Sequence, residues 1–234
     1  MSWSRFSLYQ KSPSCPALTS GGALANRIYH SASWKEEVLL HDGRTIIVKR
    51  SQTFGGYSEP ASRERSVVLE DWVFPIPGAG RDIRWSVDMR NPPAGSSLLL
   101  IALGFVDGIP YIATRPAGCI AYNYWGRPNP PYVFFKYRAS QWQRIPLSEY
   151  PREITEANVV VGGRPNPQKQ SGSTLSIAKI KEENRLLEPH LKRIVREPIR
   201  VPQTVECEEL IFYKGVWIGP GDSIGRRMMD RKSK

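Results

Sequence analysis

Histidine and cysteine are scarce in this sequence, with three of each among 234 residues. The histidines His30, His41 and His190 are far apart, and none forms a close pair with a cysteine. A zinc site needs such residues at short spacings that direct them toward one centre. No glycine doublet is followed by the lysine of a phosphate-binding loop. We therefore predict no metal, no cofactor and no catalytic residue, which leaves enzyme activity undecided.

Long hydrophobic runs are also missing. The longest, Leu98–Val106, has nine residues including Gly104, whereas a membrane-spanning helix needs roughly 20. We expect no transmembrane span, and we interpret this run as a strand that is buried on both faces.

Acidic residues are absent from positions 1–34, which carry Arg5, Lys11 and Arg27. Residues 222–234 carry five basic and two acidic residues, so each end contributes +3, and 11 − 6 = +5 remains for the rest. A nucleic-acid-binding protein is expected to have its basic residues on the folded surface. Here much of the positive charge is concentrated at the two ends of the chain, which indicates solvated tails. Binding of nucleic acid or another anionic surface through these tails stays an alternative.

Short β-prone runs separated by turn residues predict a mainly β fold, in which antiparallel hairpins form a sheet or sandwich. Asp42-Gly43 and Asp107-Gly108 each lie between two such runs and predict hairpin turns. We expect a single domain over residues 34–220, a disordered or misassigned leader over 1–33 and a basic tail over 221–234. Residues 51–66 are predicted to form a loop. The other predicted strands are Val67–Phe74, Asp82–Met89, Tyr132–Tyr137, Gln141–Leu147, Val159–Val161, Glu208–Tyr213 and Val216–Ile218.

One helix is predicted, from Ser173 or Thr174 to about Leu187. Apolar residues recur there at helical spacing, and we expect this face to pack on the sheet. Pro189 cannot continue the helix, because proline lacks the backbone N–H. We expect either a kink or a second short helix that begins at Pro189, with His190 on its surface.

Two cysteines of the folded region, Cys119 and Cys207, flank predicted strands and could form a disulfide in an oxidising compartment. Three free thiols are equally common in a cytosolic protein, so the sequence leaves both states open.

The most unusual segment, Ala121–Tyr137, is rich in aromatic residues and proline. Proline stiffens the backbone, and aromatic rings offer broad contact area at low entropic cost. We predict a ligand site there, for a sugar, a peptide or an aromatic molecule. The alternative is a stiff loop whose rings cover the end of a sheet. The candidate ligand-binding residues are Tyr122, Tyr124, Trp125, Arg127 and Tyr132.

Several segments resemble a family of uncharacterised bacterial cell-envelope proteins, over roughly Trp34–Ile218. They read S-W-K-E-E-V-L-L-H-D-G-R from Ser33, G-G-Y-S-E-P from Gly55, P-Y-I-A-T-R-P-A-G-C-I-A-Y-N from Pro110, R-P-N-P-P-Y-V-F-F-K-Y from Arg127 and I-V-R-E-P from Ile194. The resemblance implies a periplasmic or envelope location if the true start carries a leader, and a cytoplasmic one otherwise. It brings no activity with it.

We therefore expect a non-enzymatic binding protein of the envelope whose partner is a protein, a peptide or a glycan. The alternative from another class is a hydrolase-type enzyme that uses carboxylates from separate strands.

Overall fold

The computed structural model describes residues 30–55, 66–89, 97–162 and 174–232. The strands are β1 (His30–Leu39), β2 (Thr45–Gly55), β3 (Ser66–Pro75), β4 (Asp82–Asp88), β5 (Leu98–Val106), β6 (Ile109–Pro116), β7 (Val133–Arg138), β8 (Gln141–Ile145), β9 (Thr174–Leu175), β10 (Ile211–Tyr213) and β11 (Val216–Ile218). The α-helices are α1 (Cys119–Tyr124), α2 (Ile177–Glu183), α3 (Pro189–Lys192), α4 (Pro202–Val205) and α5 (Ser223–Lys232).

Two sheets form the body of the protein, and the predicted mainly β fold is confirmed. One sheet has the strand order β4-β3-β2-β1-β9, and the other has the order β5-β6-β7-β8. Neighbouring strands are antiparallel except that β9 runs parallel to β1. The hairpin β10–β11 is separate from both sheets.

The two Asp-Gly turns join strands as predicted, between β1 and β2 and between β5 and β6. In the second turn, Asp107 and Gly108 have φ angles of 50° and 72°. Positive φ at both central residues is the conformation that favours Asp-Gly, because it matches the twist of the two strands.

The first hairpin, formed by β1 and β2, extends further from its turn than predicted in both strands. β1 begins at His30, four residues before the predicted start of the domain at Trp34, and β2 continues to Gly55 through residues predicted as loop. Ser31 pairs with Thr53, and the ring of His30 stacks on Phe54 at 4.9 Å. Cross-strand pairing thus overrides the weak β propensity of the serines. The remainder of the predicted leader and loop, residues 1–29 and 56–65, lies outside the described residues.

The main core lies between the two sheets, where inward side chains of both meet. Trp72 and Phe74 from β3 pack in one cluster with Phe105, Phe135 and others from the second sheet. Each such buried side chain contributes about 1.5–3 kcal/mol. Face-to-face packing of the two sheets makes the body a β-sandwich.

A second core covers the other face of the four-stranded sheet. Ile101 from β5 packs there with Tyr150, Ile154 and Ile194 from the segments that follow the sheet. Since both faces of β5 are covered, its nearly continuous apolar sequence is explained, and that prediction is confirmed.

The predicted strand Val159–Val161 is wrong: the segment is buried but irregular. Side chains take the place of a neighbouring strand. Glu36 accepts a hydrogen bond from the Val160 N–H at 2.9 Å, and Asn184 bridges Val159 and Val161 at 2.7 and 3.0 Å. Buried backbone groups need such partners wherever they come from.

The predicted helix is shorter than expected, because Thr174–Leu175 pairs with β1 and the helix α2 begins only at Ile177. Ser176 caps α2 and accepts a hydrogen bond from the Lys179 N–H at 3.3 Å. Ile180 packs on Trp34 at the sheet edge, as the docking prediction requires.

Of the two outcomes predicted around Pro189, the second short helix is the one observed, as α3. His190 is not on the surface as predicted; it is buried, because α3 packs against the second core through Leu191.

The predicted tail after residue 220 contains the helix α5, on which no residue is buried. Residues 233–234 lie outside the described residues.

Candidate functional site

The structure places the five predicted ligand residues in three different settings. Two side chains are buried, one is hydrogen-bonded to the backbone of the C-terminal region, and two are half-buried. Tyr122 and Tyr132 are each only 3% exposed. The Tyr132 hydroxyl donates to the carbonyl of His190 at 2.6 Å, and burial raises the pKa of Tyr132 to about 12. These two rings therefore belong to the packed interior, and they offer no open contact surface.

Arg127 is bonded to the backbone of the C-terminal region. Its Nη2 donates to the carbonyl of Cys207 at 2.8 Å, and its Nη1 donates to that of Glu208 at 3.1 Å. The guanidinium carbon also lies 5.0 Å from the centroid of the Tyr122 ring. Charge-assisted bonds of this kind are directional and strong, so the guanidinium serves as an internal clamp.

Asn123, next to Tyr122 on α1, adds two bonds to the same connection. Its amide donates to the carbonyl of Glu208 at 2.8 Å and accepts from the N–H of Leu210 at 2.9 Å. Asn123 was not predicted as a site residue, because nothing in the local sequence shows that Glu208, 85 positions later, comes close to it.

A disulfide joins Cys119, the first residue of α1, to Cys207 across 88 positions of sequence. This is the oxidised of the two states that the sequence left open. Together with Arg127 and Asn123, it fixes the chain after residue 206 onto α1.

Tyr124 and Trp125 are half-buried at the end of α1. Their rings meet edge to face at 5.3 Å, and Trp125 also packs edge to face on Phe135 of the core at 5.9 Å. The Arg144 guanidinium lies over the Trp125 ring, and its Nη2 donates a hydrogen bond to the backbone carbonyl of Trp125 at 2.9 Å. Of the predicted aromatic site, only the partly exposed rings of Tyr124 and Trp125 remain accessible to a ligand.

The hairpin β10–β11 and α5 are held together, and we call them the C-terminal unit. Asp230 of α5 accepts hydrogen bonds from Lys214 Nζ at 2.6 Å and from the Tyr213 hydroxyl at 2.8 Å. These two hydrogen bonds hold the pKa of Asp230 below its usual range, and the bond from Lys214 has the larger effect. α1 contacts β10, so the unit is seated on the aromatic segment.

Large apolar side chains are concentrated in and just before this unit. Eight of them are exposed among the described residues, and five of the eight fall between positions 205 and 228. They are Val205, Phe212, Val216, Ile224 and Met228. Because α5 also carries Arg227, Arg231 and Lys232, the unit presents both apolar and basic groups to solvent.

Two carboxylates from separate strands do come together, as the enzyme alternative requires. Glu36 of β1 and Glu70 of β3 both contact Arg50 of β2. Their side chains are 0% and 2% exposed, and Arg50 lies between the rings of Trp34 and Trp72. A substrate cannot reach carboxylates that are sealed in this way, so the cluster is an internal ion network.

Residues Gly221–Gly225 read G-D-S-I-G, the spacing of the nucleophile elbow in α/β-hydrolases. An elbow serine needs a histidine base within hydrogen-bond reach. Ser223 is exposed at the start of α5, and in the parts of the chain that the structure describes no histidine bonds to it. The spacing alone therefore assigns no catalytic role.

The described ranges hold no group of three or more histidine, cysteine or carboxylate side chains that could bind a metal ion. None of their helices is long and apolar enough to cross a bilayer.

The fold and site together define a β-sandwich with a disulfide-fixed C-terminal unit. Comparison of the chain with protein-family models, with curated proteins and with solved structures found no match.

Proposed function

We propose that this protein is a non-enzymatic binding protein of the cell envelope, which contacts a protein or peptide partner through its C-terminal unit. The observation that carries the proposal is that four of the eight large apolar side chains exposed in the described residues belong to the C-terminal unit, namely Phe212, Val216, Ile224 and Met228. A disulfide and hydrogen bonds at the start of this region attach it to the sandwich. Exposed apolar groups that lie close together mark interaction surfaces on soluble domains. They favour a protein or peptide over a glycan, since the centre of a protein interface is apolar.

The disulfide between Cys119 and Cys207 supports the envelope location, because disulfides persist in oxidising compartments and are rare in the cytosol. Tyr124 and Trp125 lie at the end of the helix α1, which contacts β10, and in this proposal they extend the contact surface. Arg127, whose guanidinium lies over the Tyr122 ring, holds the chain that leads into the unit, whereas Tyr132 bonds to His190 and has no part in the proposed surface.

The test is site-specific photo-crosslinking in living cells. A photoreactive phenylalanine analogue at Ile224 or Phe212 should yield one discrete adduct. The same analogue at Leu186, which is 82% exposed but lies outside the unit, should yield none. Adducts of equal amount at all three positions, or at none, would exclude the unit as the binding surface.

The compartment is tested separately by alkylating the native protein without reductant and measuring its intact mass. In a protein from an oxidising compartment, Cys119 and Cys207 should accept alkyl groups only after reduction. Alkylation of both cysteines without reduction would contradict the envelope location.

A further inference from the structure

A cavity of about 220 Å³ opens on the outer face of the five-stranded sheet, away from both cores. Outward-pointing residues of three adjacent strands line it, among them Lys35, Lys49 and Asp71. Its volume corresponds to roughly seven water molecules at about 30 Å³ each. That is room for one small molecule of about the size of a sugar phosphate.

Two lysines stand directly opposite each other in this cavity. Lys35 of β1 is the register partner of Lys49 of β2, and both are exposed. Within the described part of the chain, neither forms an ion pair or a side-chain hydrogen bond. Like charges directly opposite on a sheet repel each other, so the free protein keeps an arrangement that costs stability.

Two serines occupy the next row of the same face. Ser33 pairs with Ser51, and both line the cavity. Their hydroxyls make no hydrogen bond to any residue that the structure describes. Four donor groups, two of them charged, therefore surround one space.

The carboxylate in the cavity does not offset the lysines, because other groups already neutralise it. Asp71 accepts hydrogen bonds from Arg84 Nε at 2.9 Å and from the Ser86 hydroxyl at 2.5 Å. Arg84 Nη2 forms a further contact at 2.7 Å. Arg84 thus neutralises Asp71, and the two outward lysines of the cavity lining, Lys35 and Lys49, keep their positive charges.

We propose that this cavity binds the phosphate monoester group of a small molecule. A phosphate monoester carries a charge of about −1.5 to −2 at pH 7 and three strong acceptor oxygens. It matches the two ammonium groups in charge and the lysine and serine donors in hydrogen bonding. Bound phosphate also offsets the repulsion between Lys35 and Lys49, so ligand binding should stabilise the sheet. The site is independent of the C-terminal unit.

The test compares glucose 6-phosphate, inorganic phosphate and glucose by calorimetry and thermal unfolding at one fixed ionic strength. Glucose 6-phosphate should bind and raise the melting temperature, and glucose should do neither. Inorganic phosphate that binds as tightly as the sugar phosphate would support a site for the phosphate group alone. No binding of either phosphate would overturn the proposal.

Substitution of the lysines should change binding and stability in opposite directions. Lys35→Gln and Lys49→Gln should each weaken binding about tenfold or more, because a charged hydrogen bond is lost. Both should raise the melting temperature of the ligand-free protein, because the repulsion is relieved. Lys181→Gln, at an exposed position on α2, should change neither. Unchanged binding in both cavity variants would show that the phosphate binds elsewhere and would overturn the proposal.

Discussion

Arg127 donates a hydrogen bond to the carbonyl of Cys207, the residue whose sulfur is bonded to Cys119. The clamp and the disulfide therefore act on the same short stretch of chain. Through them the aromatic segment, which looks like a ligand site in sequence, holds the C-terminal unit in place.

Arg127→Met should loosen the C-terminal unit while the sandwich stays folded. The substitution removes charge-assisted bonds to Cys207 and Glu208, and we expect a loss of about 2 kcal/mol in the local stability of residues 207–213. Hydrogen exchange measured by mass spectrometry should show faster exchange in that stretch. Arg138→Met, at an exposed position on β7, is the matched control, and equal exchange in the two variants would contradict the clamp.

Removing the disulfide should lower global stability. Cys119→Ser combined with Cys207→Ser opens a loop of 88 residues, and loss of such a cross-link costs about 2–5 kcal/mol in the free energy of unfolding. Urea unfolding followed by tryptophan fluorescence measures the difference. Adding reductant to the native protein should reproduce most of it, and unfolding curves that coincide with and without reductant would show that the disulfide contributes little.

Local patterns in the sequence predicted most of the strands, because turn residues and β-prone runs act over a few positions. Asp107-Gly108 with its two flanking strands is one example. The strand prediction for Val159–Val161 was wrong, because the hydrogen-bond partners of its backbone are side chains from distant positions, Glu36 and Asn184. The predicted exposure of His190 was wrong for the same reason, because the burial of a short helix depends on which distant residues pack over it.

The candidate site was harder to predict than the fold. Composition located the aromatic segment, but the role of Arg127 depends on carbonyls about 80 positions away. The pairing of Lys35 with Lys49 depends on the length of the first turn. A two-residue Asp42-Gly43 turn would pair Lys35 with Arg50, whereas in the structure the Leu40 N–H bonds to the Arg44 carbonyl and the loop between them is one residue longer. Burial of Tyr122 and Tyr132, in contrast, follows only from the complete packing.

Arg50→Met should be among the most destabilising substitutions in the chain. It leaves the buried carboxylates of Glu36 and Glu70 without their cation, and breaking a buried pair in this way costs about 3–5 kcal/mol. Urea unfolding measures the loss.

The triple variant Glu36→Gln, Arg50→Met, Glu70→Gln removes all three charges and should recover much of that loss. Arg44→Met breaks a solvent-exposed pair with Asp42 and should leave unfolding unchanged. If the single and triple variants are equally unstable, packing rather than charge explains the effect of Arg50.

His190 should make the protein less stable as the pH falls below about 6.5, the usual pKa of histidine. Burial lowers the pKa of His190 in the folded protein and the nearby charge of Arg115 adds to this, while the partly exposed Glu188 opposes it. Between the folded and unfolded pKa values, the unfolded chain binds a proton that the folded protein does not. Stability is therefore fully present above the unfolded pKa and falls as the pH falls through this window.

Urea unfolding at a series of pH values from 7.5 to 5 (a range of roughly one unit or more on each side of the usual histidine pKa) measures that slope. His190→Gln should flatten it, because glutamine fills a similar space and does not titrate. His41→Gln, in the exposed turn between β1 and β2, should leave it unchanged. A slope that survives in the His190 variant would assign the pH dependence to the carboxylates, since these also bind protons in acid.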